Sequence, residues 1–566
     1  MNDKNRNIHN KRYKAQLVLL CLFLLFVTPL VTDLYGATEV RRVEPTIQTV
    51  DRHSKGKVFL EKADRLSLVE GHDFQLLTGN VMFRQGDMFM YCDSAHFYDK
   101  SNSLQAFGNV KMEQGDTLFV FADELDYNGE TELAVLYADN GKKVKLINKD
   151  VMLETDIFEY DMAIDLGYYN VGGVLSDSLN VLESLEGEYS PSTKDANFYT
   201  DVKLTSITSS DTLKIFSDTL SYNTETHIAE LNSYSEIYNS DGVIFTTSGV
   251  YNTDENIADL YERSLIVTER GNTLTADTLF YDRAHGIGEA FGNMVLTDSV
   301  RSMSIKGNYG FYDQLKDSSF ISGKALLMEY SEGDTLFLHG ETIRSFILLE
   351  DSLDVDSAHV MVVHPKVRFY RSDLQGLCDS LSFKEKDSIL YMHYNPIVWS
   401  GARQIFGNEI RVHFNDSTAD WALLPDFGFM AEHIDEEFYN QLSGNMMKAY
   451  FSDGKLKHMD VEGNVQGVTL PQENDSTYNK INIFESSSLA ADFENNTIEM
   501  VKMWPAQNGK TVPLYLVKKD MIYLPKFKWY EVLRPKDKYD IFRYPEEMKN
   551  LKNEGSAIER RRKAVK

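Results

Sequence analysis

Ala122-Asp123-Glu124-Leu125-Asp126-Tyr127-Asn128 ends an apparent strand, and its pattern returns along the chain. Asp156-Phe158-Tyr160, Asp218-Leu220-Tyr222, Asp277-Leu279-Tyr281 and Asp379-Leu381-Phe383 again set an aspartate, a large apolar residue and an aromatic at alternate positions. Residues i, i+2 and i+4 of a strand share one face, whereas on a helix the first two diverge. The phrase therefore makes a coherent surface only when extended. The Asx that follows the tyrosine reads as a turn. The pair falls at Tyr98, Tyr127, Tyr160, Tyr189, Tyr222, Tyr251, Tyr281 and Tyr312, at intervals of 29, 33, 29, 33, 29, 30 and 31 residues. Such regularity marks a repeat protein.

The repeat has further landmarks. Leu77-Thr78-Gly79-Asn80-Val81 and Gln85-Gly86-Asp87 precede Tyr98, and each recurs 29 residues later, at Ala106-Phe107-Gly108-Asn109-Val110 and Gln114-Gly115-Asp116 before Tyr127. One unit thus reads as a Gly-Asn opening, a strand, a Gly-Asp turn and a longer strand ending at the tyrosine. Gly-Asn occurs at Gly79, Gly108, Gly271, Gly292, Gly307, Gly407, Gly444 and Gly463. Both residues tolerate positive φ, which suits a turn or bulge. A phosphate-cradling loop needs a helix N-terminus after it, and the pattern has none. Past Tyr312 the spacing loosens, with substituted rungs at Ile343, Phe383, Phe414, Tyr450 and Phe493 and an array that continues to about residue 500.

The composition, 42% hydrophobic and 12% aromatic, is enough for a sizeable core. A formal charge of −28 repels phosphate backbones, so no nucleic-acid partner is expected. Cys92 and Cys378 sit on similar rungs far apart in sequence, and a disulfide needs Cα atoms within about 7 Å, so both read as free structural thiols. The 13 histidines are dispersed without metal-ligand spacing, and His96 reads as a strand-face residue. Nucleophile elbows, Walker loops, His-Glu-x-x-His and Cys-x-x-Cys are absent. Aspartates that recur on every rung suit bonds to turn amides better than one catalytic pair, so the reading is of a non-enzyme with no cofactor and no metal.

The ends differ from the body. Lys4, Arg6, Lys11, Arg12 and Lys14 precede an apolar run from Leu17 to Val31 and the small residues Gly36 and Ala37. Residues 1–37 therefore read as a signal peptide or, uncleaved, an N-terminal anchor, and either exports the body. Residues 38–56 read as a linker. Residues 501–566 form an aromatic and basic C-terminal tail with the cluster Arg560-Arg561-Arg562-Lys563, read as solubilising or as a contact for a membrane or partner.

The phrases Leu77-Thr78-Gly79-Asn80-Val81, Gly115-Asp116-Thr117-Leu118, Ala122-Asp123-Glu124-Leu125-Asp126-Tyr127 and Ala290-Phe291-Gly292-Asn293-Met294 together resemble the OstA-like family, which includes LptA and the N-terminal domain of LptD. The resemblance implies an all-β, elongated, V-shaped β-jellyroll in the periplasm whose apolar interior holds lipid A acyl chains of lipopolysaccharide. It also implies edge-to-edge β pairing with other OstA-like transport components. Residues 57–200 and 201–345 then form two such regions, and residues 346–500 a divergent continuation. Two or three strands per repeat are expected, shared between two sheets. Leu125, Tyr127, Leu220, Tyr222, Leu279 and Tyr281 are placed on the inward face as candidate groove lining. A structural or adhesive solenoid filled by its own side chains needs the same apolar face. A polysaccharide-acting enzyme is the remaining alternative.

Overall fold

The structure is a computed structural model, described over residues 56–548 except residues 140, 207–212, 301, 331–332, 350–356, 416–417, 453, 474–476 and 495–496. The leader, all of the linker but Gly56, and the Arg560–Lys563 cluster lie outside the described residues. Two compact units divide the described chain, one up to His285 and one from Gly286. Among the described residues the first holds 24 strands and the second 22, paired antiparallel throughout the registers recorded, so the fold is all-β.

In residues 56–285 the strands form two ladders, and the long strands belong to both. Ser103–Gln114 shows how: Leu104–Phe107 pair with Glu124–Tyr127, the register shifts, and Val110–Gln114 pair with Leu118–Ala122. The next strand, Leu118–Asn128, then divides its partners. Its first half pairs with Val144–Asn148 and its second with Leu133–Tyr137. The chain thus runs along one ladder, turns a corner, runs along the other and returns through a hairpin. Each repeat of about 30 residues adds two strands to each ladder, a rise of about 10 Å at the usual strand spacing. The tyrosines all lie on one of the two, called here the first ladder.

At each corner the alternation of buried and exposed residues slips phase. Leu118 and Val120 are buried before the corner, Leu125 and Tyr127 after it. Asp123 sits at the slip. This corrects the reading that places the aspartate on one face with Leu125 and Tyr127, because strand periodicity holds only while the chain stays in one ladder. At the corner Asp123 accepts the Asp139 amide at 2.9 Å and the Lys142 ammonium at 2.6 Å. The Asx after the tyrosine makes the predicted turn: Asn223 Oδ1 accepts the amides of Glu225 and Thr226, and Asn252 those of Asp254 and Glu255.

Most Gly-Asn pairs mark corners. At Gly79-Asn80, Gly108-Asn109, Gly292-Asn293 and Gly463-Asn464 both residues have positive φ, forming a bulge inside a continuous strand. Asn109 Nδ2 donates to Asp93 Oδ2 at 2.8 Å, and a Cβ added at Gly108 would lie 2.6 Å from that oxygen. Gly108→Ala is expected to cost about 2 kcal/mol from the left-handed backbone and the crowding together. Gly115→Ala, with φ +62° but open space around it, is expected to cost about 1 kcal/mol. Urea unfolding of the two variants checks this, and equal midpoints would contradict the crowded corner.

Residues 286–548 repeat the two-ladder plan, from Ile287–Asp298 and Met303–Asp313 to the strands Thr497–Trp504 and Asn508–Pro513 beyond residue 500. The chain then leaves the ladders. Residues 514–548 form a strap of three single 3-10 turns, the short helix Lys519–Ile522 and helical residues 546–548, and run back across the strands of the second ladder. Leu524, Leu533 and Met548 pack with Trp399, Phe429, Val468 and Ile481. Four buried polar side chains from successive parts of the ladder hold the strap, three of them by its backbone. Gln441 donates to Ile522 O at 2.7 Å and accepts Leu524 N at 2.9 Å. Gln404 donates to Lys528 O and accepts Tyr530 N. Gln375 accepts from Arg534. Arg368, 1% exposed, donates to the carbonyls of Leu533, Asp540 and Arg543.

Candidate functional site

The interior of residues 56–285 is organised by one file of side chains along the first ladder. Its register runs Tyr127, Ala134, Tyr160, Gly167, Tyr189, Ala196, Tyr222, Ala229, Tyr251, Ala258, Tyr281, each directly opposite the next. Large and small alternate because opposed Cβ atoms in antiparallel strands stand only about 5 Å apart, leaving no room for two rings. The tyrosine hydroxyls reach the far ends of the second ladder. Asn148 Nδ2 donates to Tyr189 Oη at 3.0 Å, and Tyr281 donates to Asp241 at 3.0 Å. Tyr222 donates to Asp177 Oδ2 at 2.5 Å and accepts from Asn180 Nδ2 at 2.7 Å, with His227 Nδ1 at 3.0 Å. Rings fill the interior, and hydroxyls clip the two ladders together at the side away from the corners.

All six residues read from the sequence as groove lining lie on this interior face. Leu125, Tyr127, Leu220, Tyr222, Leu279 and Tyr281 are between 0% and 6% exposed. Burial pushes the phenols of Tyr127 and Tyr169 up to about 12 and raises those of Tyr160, Tyr222 and Tyr281, the last three further aided by the carboxylates of Asp165, Asp177 and Asp241.

In residues 286–548 the file continues from Tyr312 through Ser319, Ser345 and Met361, and then loses its tyrosines. It runs Phe383, Leu390, Val412, Ala422, Ala449. These five inner residues are half-buried, although Met392, Ile410, Leu424 and Met447, one step nearer the corners on the same face, are buried. Across from them, Val398, Ile405 and Met430 form the inner file of the second ladder and are also half-buried. The two inner faces converge at the corners: a Cβ at Gly428 of the second ladder would lie 2.8 Å from Met447 Cγ of the first. The result is an apolar groove with closed floor and partly open walls. The strap lies on the opposite, outer face, because Gln404, Phe406 and Trp399 alternate with the inward Ile405 and Val398.

Sequence reading did not find these walls. It also missed the strap's pegs, although Arg368, Gln375, Gln404 and Gln441 interrupt apolar strands. The clearest unused signal was a small residue seven places after each tyrosine from Tyr127 to Tyr312. Elsewhere, His96 stacks on Phe74 at 4.0 Å. Cys92 and Cys378 are buried and unpaired with each other, and burial pushes the Cys92 thiol up to about 12. Among the described residues no cluster of His, Cys, Asp and Glu has the geometry to hold a metal, and no helix is long and apolar enough to cross a membrane.

Two unclosed ladders joined at a line of corners around an apolar interior define the class: an open β array of the jellyroll type. The sequence model described as OstA-like protein matches residues 55–210 and 205–285, so this stretch of the chain is OstA-like. No curated protein matches the chain. Among solved structures the chain aligns with LptH of Pseudomonas aeruginosa, described as the LptA-homologous periplasmic component of a lipopolysaccharide transport device. The identity is 11%, over 25% of this chain and 93% of that one, with a TM-score of 0.19. A tricorn protease aligns at 7% identity over 77% of this chain and 63% of that one, with a TM-score of 0.11.

Tyr222→Phe is expected to cost about 2 kcal/mol, since it removes bonds to the buried Asp177 and Asn180. Tyr98→Phe, near the surface, is expected to cost under about 0.5 kcal/mol. Denaturation midpoints decide, and equal losses would deny the clip. A second test uses pH. Unfolded tyrosines ionise near pH 10, and those buried here do so at higher pH. The stability they confer is therefore complete below pH 10 and falls as pH rises toward about 12 for Tyr127 and Tyr169. Phenolate absorbance is expected to show a late fraction that appears together with loss of β circular dichroism. Titration of every tyrosine near pH 10 with the fold intact would contradict it.

Proposed function

We propose that this protein is exported to the periplasm and carries the acyl chains of lipopolysaccharide along its interior toward the outer membrane, without chemical turnover. The observation that carries the reading is the unclosed pair of ladders around an apolar interior, in a chain whose residues 55–285 are OstA-like. A hydrocarbon chain needs apolar walls and no hydrogen-bonding groups, and a β array supplies both continuously by strand alternation. The array also offers strands for joining another chain. Phe59–Lys62 and Arg65–Leu68 pair, among the described residues, only with Gln75–Gln85, and Leu66 and Leu68 are exposed. Edge-to-edge pairing with other OstA-like components would use such strands. The leader is the export signal in this reading, and the leader or the basic tail makes any membrane contact.

A structural solenoid filled by its own side chains remains as the second reading, favoured by the rings and hydroxyl clips that occupy the interior of residues 56–285. Depletion in cells separates the two. Transport predicts that newly made lipopolysaccharide accumulates at the inner membrane and falls at the cell surface. Unchanged surface lipopolysaccharide after depletion would exclude transport and leave the structural solenoid.

A further inference from the structure

We propose that the acyl-chain site lies in residues 383–449, outside the stretch matched by the family, where tyrosine is missing from the inner file. This rests on the transport reading above and moves its site away from the six residues that the sequence singles out. In residues 127–281 each tyrosine of the file stands opposite a small residue and is buried. In residues 383–449 the same file is Phe383, Leu390, Val412, Ala422 and Ala449, with no tyrosine, and it is half-buried. Ile405 and Met430 face it from the second ladder, also half-buried.

The chemistry of the walls selects the occupant. Both inner files are hydrocarbon or thioether, so a peptide or a saccharide would leave its polar groups unpaired there. An alkyl chain loses nothing and leaves water. Length agrees as well. Phe383 to Ala449 spans four ladder steps, about 19 Å at about 4.8 Å each, and one leaflet of a bilayer core of about 30 Å holds acyl chains of about 15 Å.

The strap explains how these walls stand apart without tyrosine clips. It grips the outer face of the second ladder through Arg368, Gln375, Gln404 and Gln441, so the ladder is supported from behind and its inner face stays available.

The test places a photo-crosslinking amino acid at Val412 or at Tyr222 in the full chain and irradiates cells. A second arm restores the missing ring with Ala449→Tyr, and titrates purified protein with cis-parinaric acid, a fluorescent fatty acid. Crosslinking to lipopolysaccharide at Val412, with at least tenfold weaker fatty-acid binding by Ala449→Tyr at an unchanged unfolding midpoint, is the expected result. Capture at Tyr222 without capture at Val412 overturns this site and leaves the transport reading standing. Capture at neither overturns both. Should Ala449→Tyr fold poorly, the crosslinking arm decides alone. Should it fold and bind as the parent does, the site is overturned.

Discussion

A tyrosine ring laid across an antiparallel ladder covers the residue opposite, and the strand spacing leaves no room there for a second ring. The array of residues 56–285 follows from this constraint. Ala134, Gly167, Ala196, Ala229 and Ala258 are small because a ring lies against each on both sides in the ladder. With rings in alternate places the file is buried, and the rings of Tyr189, Tyr222 and Tyr281 end in hydroxyls that meet an Asn or Asp of the second ladder. Packing and bonding are thus performed by the same side chain.

Residues 286–548 meet the same requirement differently. Once the file turns aliphatic, no hydroxyl of the file among the described residues reaches the second ladder, and support comes from its outer face. The glutamines of the strap contact act as substitutes for strand backbone: Gln404 and Gln441 each offer one acceptor and one donor to the strap, as a neighbouring strand would. The two terminal nitrogens of Arg368 bond mainly to carbonyls, with Asp540 Oδ2 at the longer distance of 3.4 Å. A guanidinium so enclosed holds one backbone path and tolerates little variation in it.

Much of the fold was legible in the sequence, because its signals were local. Tyrosine followed by Asx marks a hairpin, since the Asx side chain bonds amides two or three residues away, and Gly-Asn marks a site of positive φ. Asp123 was misread because periodicity cannot reveal a corner at which the chain changes ladder, and alternation resumes beyond it with the opposite phase. The groove was beyond reach for another reason. Filled and open interiors need the same apolar residues, and only the exposure of Leu390 or Val412, which depends on what lies opposite, tells them apart. The strap's aromatic and basic composition gave no sign of its partners, since Arg368 and Asp540 are 172 residues apart.

The strap also alters how this half of the protein comes apart. A ladder held only between neighbours loses rungs from its ends one at a time, as repeat arrays do when stability is a sum of adjacent contacts. The strap runs lengthwise instead, fixed at Gln441, Gln404, Gln375 and Arg368 in turn, and so ties rungs that are not neighbours to one another. Fraying at Asn508–Pro513 cannot proceed inward without lifting residues 514–548 from all four. Melting of residues 368–441 is thereby a single collective event, in a protein whose other half is free to open by the rung.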